Sequence, residues 1–242
     1  MSSFSAMLLG GAFVLAPHQA TLAQAGPAAE KLVFAAGFRL FSAGTATMHS
    51  IEMVDELGQV RLHITARTRT HPFFDRLYKI DDRIDLWLDP GTAQLRKMVR
   101  NINEGSYHRR DSSWIDPETQ LLYANGDTVA ISGPIFDPIG AIYHMRRREI
   151  AVGDTFQVTI FDGKQLRPIA ITVSGPVTRT VPAGKFSCLA FLPTSLDGRK
   201  ITKSGDLLRI WLTDDERRLP VQIEQRSNYG MLVLKLVEWS GP

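Results

Sequence analysis

From Lys31 onward, apolar and polar residues alternate with a period of two, and turn-forming residues interrupt the alternation every 8 to 14 residues. This pattern is typical of antiparallel β-strands with one buried face and argues against a series of βαβ units. The chain holds roughly a dozen such segments. Because the twist between adjacent strands accumulates, a sheet of this size curls. The sequence therefore predicts a mainly β fold with a single large curled antiparallel sheet, as a half-barrel, a barrel or a sandwich.

Two tight turns in this pattern are marked by glycine. Gly58 supplies the positive φ that the turn of a first hairpin needs. The dipeptide Asp162-Gly163 is favoured in the turn of a second hairpin. The strands that these turns would join are 45–54 with 60–70, and 155–161 with 166–174.

One stretch, residues 136–145, departs from the strand pattern and shows the apolar spacing of a helix. Asp137 can accept hydrogen bonds from the free N–H groups of a first turn, and Pro138 already has a helical φ where its missing N–H is no loss. Three apolar side chains would share one face, namely Ile139, Ile142 and Tyr143. We expect one short helix packed on the concave side of the sheet.

The first 25 residues differ from the rest of the chain. Residues 7–16 form an apolar run too short to span a bilayer, and Ala23-Gln-Ala25 has the small-x-small pattern of a signal peptidase site. No Lys or Arg precedes the run, so the segment departs from the usual signal; a disordered cytosolic leader is the alternative. We predict a signal peptide over residues 1–25, a periplasmic protein, one β-rich domain over 26–242, and no transmembrane segment in the mature chain.

The composition of the 242 residues, 44% hydrophobic and 22% charged, is that of a globular protein. The formal net charge is only +3 and opposite charges are interspersed, so nucleic acid is not expected as a partner. The single cysteine, Cys188, lies among apolar neighbours, and we expect a buried thiol that is not a nucleophile. An intrachain disulfide is excluded.

No arrangement of residues indicates catalysis or metal binding. The Gly-x-Ser-x-Gly motif of serine hydrolases is absent. The histidines are isolated from one another and form no i, i+4 pair: His49, His63, His71, His108 and His144. Asp137, Asp154 and Asp162 are explained as cap or turn residues rather than as a pair of glycosidase carboxylates. Asp214-Asp215 is expected in a solvated turn with local ion pairs. The sequence thus names no catalytic residue, no metal site and no cofactor.

Arginines recur at period-two spacing in neighbouring predicted strands. They are Arg67, Arg69, Arg96, Arg100 and Arg109. The favoured interpretation is a solvated face of the sheet; the alternative is a single cationic lane that binds a lipid headgroup or acidic glycan, because arginine pairs with phosphate and carboxylate groups bidentately. With Tyr143 and His144 of the predicted helix, they are the candidate ligand-binding residues.

Two segments of the second half resemble a known family. They are Val181-Pro-Ala-Gly-Lys-Phe186 and residues 209–223 with their Trp-Leu-Thr-Asp-Asp core. Three earlier segments also occur in the order that they have in that family, namely Asp82-Arg-Ile84, Gly105-x-Tyr107 and the Asp-Pro helix. The chain is similar to the bacterial exported proteins of domain of unknown function 3108. The resemblance implies an exported or periplasmic β-rich protein without an assigned activity, and it supplies no catalytic residues.

Three function classes follow from these observations. The leading hypothesis is a non-catalytic binding or carrier module for a lipid or other cell-envelope amphiphile. The alternatives are a hydrolase acting on envelope glycans or lipids, and a structural partner in an outer-membrane assembly. An apolar concave interior with a cationic rim would favour the first class, whereas carboxylates or histidines with shifted pKa values converging in a cleft would favour the hydrolase.

Overall fold

The computed structural model describes residues 29–38, 41–76, 78–201, 207–227 and 230–241. These residues form fifteen β-strands and two α-helices. The strands are β1 Ala29–Phe38, β2 Phe41–Val54, β3 Val60–Thr70, β4 Asp81–Leu88, β5 Leu95–Glu104, β6 Tyr107–Asp116, β7 Leu121–Ala124, β8 Asp127–Ala130, β9 Ile135–Phe136, β10 Thr155–Phe161, β11 Leu166–Val181, β12 Gly184–Ser195, β13 Leu208–Thr213, β14 Pro220–Ser227 and β15 Gly230–Ser240. The helices are α1 Pro72–Asp75 and α2 Pro138–Arg146.

All fifteen strands belong to one sheet made of two meanders. β1 to β8 lie side by side in chain order, and β9 to β15 do the same. The meanders join where β1 pairs antiparallel with β15, which places Lys31 opposite Ser240. Only the short pairing of β9 with β10 is parallel among the described strands. The predicted large antiparallel sheet is confirmed.

The two edges of the sheet, β8 and β9, are consecutive in the chain. Residues 131–134 alone connect them. Since an extended chain covers at most ~3.6 Å per residue, the end of β8 and the start of β9 lie within about 18 Å of each other. The sheet must therefore curl until its edges approach, and it does so without forming a hydrogen-bonded closure between them.

Helix α2 forms where the sequence predicts it. The carboxylate of Asp137 accepts hydrogen bonds from the backbone N–H groups of Ile139 and Gly140, at 2.8 and 2.9 Å. Asp137 is itself buried, and burial raises the pKa of its carboxyl to about 6 against the opposing effect of these two bonds. The cap thus ionises at a higher pH than an exposed aspartate.

The side chains of α2 fill the inside of the curled sheet. Tyr143 packs with the apolar residues of β3 to β7, and Ile142 packs with those of β10 to β13. Ile139 contacts both the first of these clusters and a third one formed by β1, β2 and the last strands. Ile142 and Tyr143 are 5% and 4% exposed, so the predicted packing of the helix on the concave side is confirmed.

Three details differ from the sequence predictions. Besides the one expected helix, residues 72–75 form the single turn α1, because Pro72 stands at its first position and fixes a helical φ. Fifteen strands replace the expected dozen. The strand expected over residues 166–174 continues to residue 181, with an irregularity between Ser174 and Val177.

The predicted signal peptide lies outside the described residues. Among the residues that are described, no helix has both the length and the apolar character needed to cross a bilayer.

Candidate functional site

The register of the strands separates the predicted arginines. Arg67 of β3 lies opposite Arg83 of β4, whereas Arg100 of β5 lies opposite Ile84. Because consecutive residues of a strand point to opposite faces, Arg67 and Arg100 cannot share a face. Arg69 lies on the same face as Arg67, and Arg109 lies on the same face as Arg100. The single cationic lane is therefore wrong.

Each of these five arginines is also paired with an aspartate. Arg67 and Arg69 both bind the carboxylate of Asp81, and these hydrogen bonds lower its pKa to about 2. Arg96 lies near the irregularity between β4 and β5 and pairs with Asp89 at 3.4 Å. Paired guanidinium groups offer less charge to an incoming anion than free ones, so the charge of these residues is largely internal to the protein.

Arg100 connects the two meanders. Its guanidinium binds both carboxylate oxygens of Asp111, at 2.8 and 3.0 Å. It also donates to the carbonyl oxygens of Asp162 and Gly163 in the β10–β11 turn, at 2.7 and 2.9 Å. Asn125 donates to the same Gly163 carbonyl at 3.1 Å. We call this set of contacts the seam clasp, because it joins the region of strands β5, β6 and β7 with the β10–β11 turn of the second meander.

The two candidate residues of α2 make internal contacts. Tyr143 donates its hydroxyl to Glu30 at 2.9 Å, and burial raises its pKa. His144 places Nδ1 2.9 Å from the carbonyl oxygen of Thr92, and its partial burial lowers its pKa. A ligand role for these two residues and for the arginines stays a prediction.

A different group of side chains forms a row across the sheet. On the face of β3 to β7 opposite the core, which we call the outer face, five residues lie directly beside one another in register. This aromatic row consists of His63, Trp87, Lys97, Trp114 and Tyr123. It crosses five strands from β3 to β7.

The rings of the aromatic row stack on one another. His63 and Trp87 have ring centroids 4.8 Å apart, and the ammonium of Lys97 lies 5.0 Å from the centroid of Trp87. Trp114 and Tyr123 are 5.0 Å apart with planes inclined by 9°. Trp114 remains 49% exposed although it is stacked. An exposed tryptophan supported by a second ring is a rigid surface for a ligand, because few rotatable bonds need to be ordered on binding.

A second row runs parallel to the first on the outer face. This arginine row consists of Arg67, Arg83, Asn101 and Arg110. Each member lies four positions along its strand from a member of the aromatic row, so the rows are about 13 Å apart at ~3.3 Å per residue. The outer face therefore has one aromatic edge and one basic edge.

A cleft of about 580 Å³ opens at the β6 to β8 end of both rows. Trp114 and Tyr123 belong to its wall, as do Arg109 and Arg110. Asn125, Gly126, Asp127 and Thr128 of the β7–β8 hairpin complete it on the other side. Its size is in the range of small-ligand sites, and its polar groups are suited to hydrogen bonding.

Asp82, whose pKa is raised, lines neither the cleft of about 580 Å³ nor a smaller one nearby. Partial burial raises the pKa of Asp82 to about 6, and Glu104, with which it shares a hydrogen bond, adds to the shift. The smaller cleft, of about 210 Å³, is lined instead by Asp81, the strand neighbour of Asp82. The pKa of Asp81 is lowered, so this cleft does not carry the carboxyl of raised pKa that a general acid of a hydrolase requires.

Metal ligation finds little support in the described ranges of the chain. No group of three or more His, Cys, Asp or Glu side chains is close enough to hold a metal ion there. Cys188 is fully buried, as predicted, and burial raises the pKa of its thiol to about 11. The turn that carries Asp214 and Asp215 is solvated, and Asp215 forms a local ion pair with Arg217 at 2.7 Å, also as predicted.

The aromatic row was missed by sequence reasoning. None of Trp87, Trp114 and Tyr123 is among the candidate residues predicted from the sequence. Each residue lies in a different strand, so no short-range spacing connects them. The only local signal is that Trp87, Trp114 and Tyr123 fall on the polar side of their strands, and single exposed aromatic residues are normal at a protein surface, so this signal does not indicate a site by itself.

Two solved structures match the chain over most of its length. A β-barrel-like protein of domain of unknown function DUF1849 from Brucella abortus matches with a TM-score of 0.57 and 11% identity, over 90% of this chain and 99% of that one. A DUF1089 family protein from Pseudomonas aeruginosa matches with a TM-score of 0.36 and 15% identity, over 90% of this chain and 95% of that one. The first match shows a shared β-barrel-like fold.

Sequence comparisons give the family. No curated protein matches the chain. The model of the family described as "Protein of unknown function (DUF3108)" matches residues 33–237, which is most of the chain and confirms the resemblance carried by the two segments of the second half. The chain belongs to the DUF3108 family.

Proposed function

We propose that this is an exported, periplasmic protein that binds a cell-envelope amphiphile or glycan on the outer face of its sheet, without catalysing a reaction on it. The observation that carries the proposal is the exposed Trp114, stacked on Tyr123 at the wall of the cleft. Aromatic rings that are held rigid and left exposed beside polar groups are typical of binding sites. The leader-like residues 1–25 support export.

The ligand is expected on the outside of the sheet because the inside is occupied. A carrier that encloses acyl chains needs an apolar cavity, whereas the side chains of α2 pack here with all three core clusters. The apolar interior that would favour an enclosed lipid is thus filled by the protein itself. A lipid ligand would be held by its polar head, with the sugar or headgroup on the aromatic row.

Native mass spectrometry of protein purified from the periplasm tests this proposal. We expect a co-purifying lipid or glycan mass, and we expect Trp114→Ala to lose it. Leu57→Ala is the matched control, because Leu57 is 82% exposed in the β2–β3 turn, away from the cleft. Absence of any adduct, or equal retention by Trp114→Ala and Leu57→Ala, would overturn the proposal.

A further inference from the structure

We propose that the outer face selects an acidic glycan chain, with one sugar ring stacked on Trp114 and the anionic groups of the chain on Lys97 and Arg110. This inference rests on the proposed function, because it assigns a ligand class to the same surface. The charges of the surface that a ligand can use, and their separation, determine the ligand class.

Lys97 and Arg110 differ from the other cations of the outer face. Arg67 is held by Asp81 at 2.9 Å, and Arg83 is held by Asp85 at 2.7 Å. Within the described residues, neither Lys97 nor Arg110 forms an ion pair, and both are exposed. The ammonium of Lys97 lies 5.0 Å from the ring centroid of Trp87, and none of the described residues forms a hydrogen bond or an ion pair with it. The attraction for anions is thus concentrated at two positions.

The two free cations lie on two sides of the stacking surface. Lys97 is directly opposite Trp114 on the neighbouring strand, about 5 Å away between backbones. Arg110 is four residues before Trp114 on the same face of β6, about 13 Å along the strand. A chain of several units, laid along β6, can contact all three side chains at once.

Polar groups continue this arrangement into the cleft. The hydroxyl of Thr128 belongs to its wall, as do Arg110 and the Asn125 amide, which is held by Arg109 and Gly163. Thr128 is the register neighbour of Tyr123 on β8, so it extends the aromatic row by one strand. A hydroxyl group beside an aromatic surface can donate to and accept from sugar hydroxyls.

A flat anionic membrane fits this surface less well than a glycan chain. Asp81 and Asp85 lie on the outer face between the arginines, and a continuous layer of anionic headgroups would be brought against these carboxylates. The exposed members of the row are also stacked side by side across the strands, so they do not protrude as inserting side chains. Discrete anionic groups on a chain can meet Lys97 and Arg110 alone.

Isothermal titration with three probes tests the inference: oligogalacturonate as an acidic chain, cellohexaose as a neutral chain, and phosphatidylglycerol vesicles. For the unmodified protein we expect at least tenfold tighter binding of oligogalacturonate than of cellohexaose, with the difference reduced by added salt. Lys97→Gln combined with Arg110→Gln should remove this preference by lowering the affinity for oligogalacturonate to that for cellohexaose. The matched control is Lys185→Gln with Arg209→Gln, two exposed cations of the second meander.

The outcomes separate this inference from the proposed function. Equal affinity for the acidic and the neutral chain, or an equal loss in the control variant, would overturn the acidic-glycan inference and leave a neutral glycan site at Trp114. Binding to the vesicles alone would overturn it in favour of a membrane surface. Unchanged affinity of Trp114→Ala for both chains would instead overturn the proposed binding surface. Thermal melting of each variant confirms that the exposed substitutions leave the fold intact.

Discussion

Glu30 of β1 and Arg146 at the end of α2 form a buried ion pair across 116 positions of sequence, with two nitrogen–oxygen contacts of 2.7 and 2.5 Å. Their side chains are 6% and 11% exposed. Tyr143 donates a third hydrogen bond to the same carboxylate at 2.9 Å. The helix is thereby fixed to the first strand by charge as well as by apolar packing.

Removing one partner of this pair should be more harmful than removing both. Arg146→Met leaves the Glu30 carboxylate buried without its cation, at an expected cost of about 3–5 kcal/mol. Adding Glu30→Gln should recover part of that loss, because a neutral amide can still accept from Tyr143. Urea unfolding of the two single variants and the double variant measures the coupling. A double variant as unstable as the sum of the single losses would show that the pair is not coupled.

Truncating an apolar side chain of α2 should show how much its packing inside the sheet stabilises the fold. Ile142→Ala should cost about 2–4 kcal/mol through lost burial and a residual cavity. Asp137→Ala should cost only about 1 kcal/mol through the lost cap. Chemical denaturation measures both. The reverse order would mean that Asp137 does more than cap the helix, and an unchanged melting temperature for Ile142→Ala with loss of a bound lipid would mean that the helix covers a ligand cavity.

Two glycines with nearly the same backbone conformation should respond differently to alanine. Gly163 has φ of +86° and Gly126 has φ of +85°, so the backbone strain of a Cβ, about 1 kcal/mol, is common to both. A Cβ on Gly163 would lie 2.0 Å from Cζ of Arg100, whereas a Cβ on Gly126 would have nothing within 4 Å. Gly163→Ala should therefore cost about 2 kcal/mol more, through the lost charged hydrogen bonds of the seam clasp. Equal melting temperatures would show that the seam clasp contributes nothing.

Asp82 should make stability depend on pH between about 4 and 6. Its pKa is raised to about 6 from the ordinary 3.8, so the folded state binds its proton more tightly than the unfolded state. The resulting stabilisation is full below about pH 4 and is lost as the pH rises through 6. Asp82→Asn, which mimics the protonated form, should raise the melting temperature at pH 8 and leave it unchanged at pH 4.

Asp81 should make stability depend on pH in the opposite direction to Asp82, which the melting temperature at different pH values also measures. Arg67 and Arg69 hold its pKa at about 2, so its contribution is present above about pH 4 and is lost as the pH falls through 2. Asp81→Asn should therefore lower the melting temperature at pH 8. If both variants shift the melting temperature in the same direction at pH 8, the assignment of the two neighbouring carboxyls is wrong.

Cys188 should be inert towards thiol reagents in the native protein. Its side chain is 0% exposed and its pKa is raised to about 11, so little thiolate is present at pH 8 and none is accessible. Labelling with a maleimide at pH 8 should follow the rate of global unfolding and accelerate in urea. Rapid labelling of the folded protein would contradict the burial.

Elements specified by neighbouring residues could be predicted from the sequence. The strand predicted over residues 155–161 matches β10. Its alternation ends at Asp162-Gly163, and both of these residues favour a tight turn. Helix α2 begins where Asp137 and Pro138 supply its cap and first position. In both cases the decisive residues lie within one turn of the element that they determine.

The candidate site could not be predicted in the same way, because it depends on register across strands. The two carbonyl groups of the β10–β11 turn that Arg100 binds in the seam clasp lie 62 and 63 positions further along the chain, and the aromatic row takes one residue from each of five strands. Period-two spacing left open the alternative in which Arg67 and Arg100 share one lane, since it gives the face of a residue only within its own strand. Pairing across strands decided that they lie on opposite faces.

The pairing of β1 with β15 sets the order in which this molecule can assemble. Within each meander, neighbouring strands follow one another in the chain and can pair as soon as both have been made. The contact of Lys31 with Ser240 closes a loop of about two hundred residues, and its entropic cost exceeds that of a ten-residue hairpin by about 2–3 kcal/mol. The two meanders are therefore expected to form as separate folding units and to dock late, so that β1 and β15 are the strands exposed longest to aggregation.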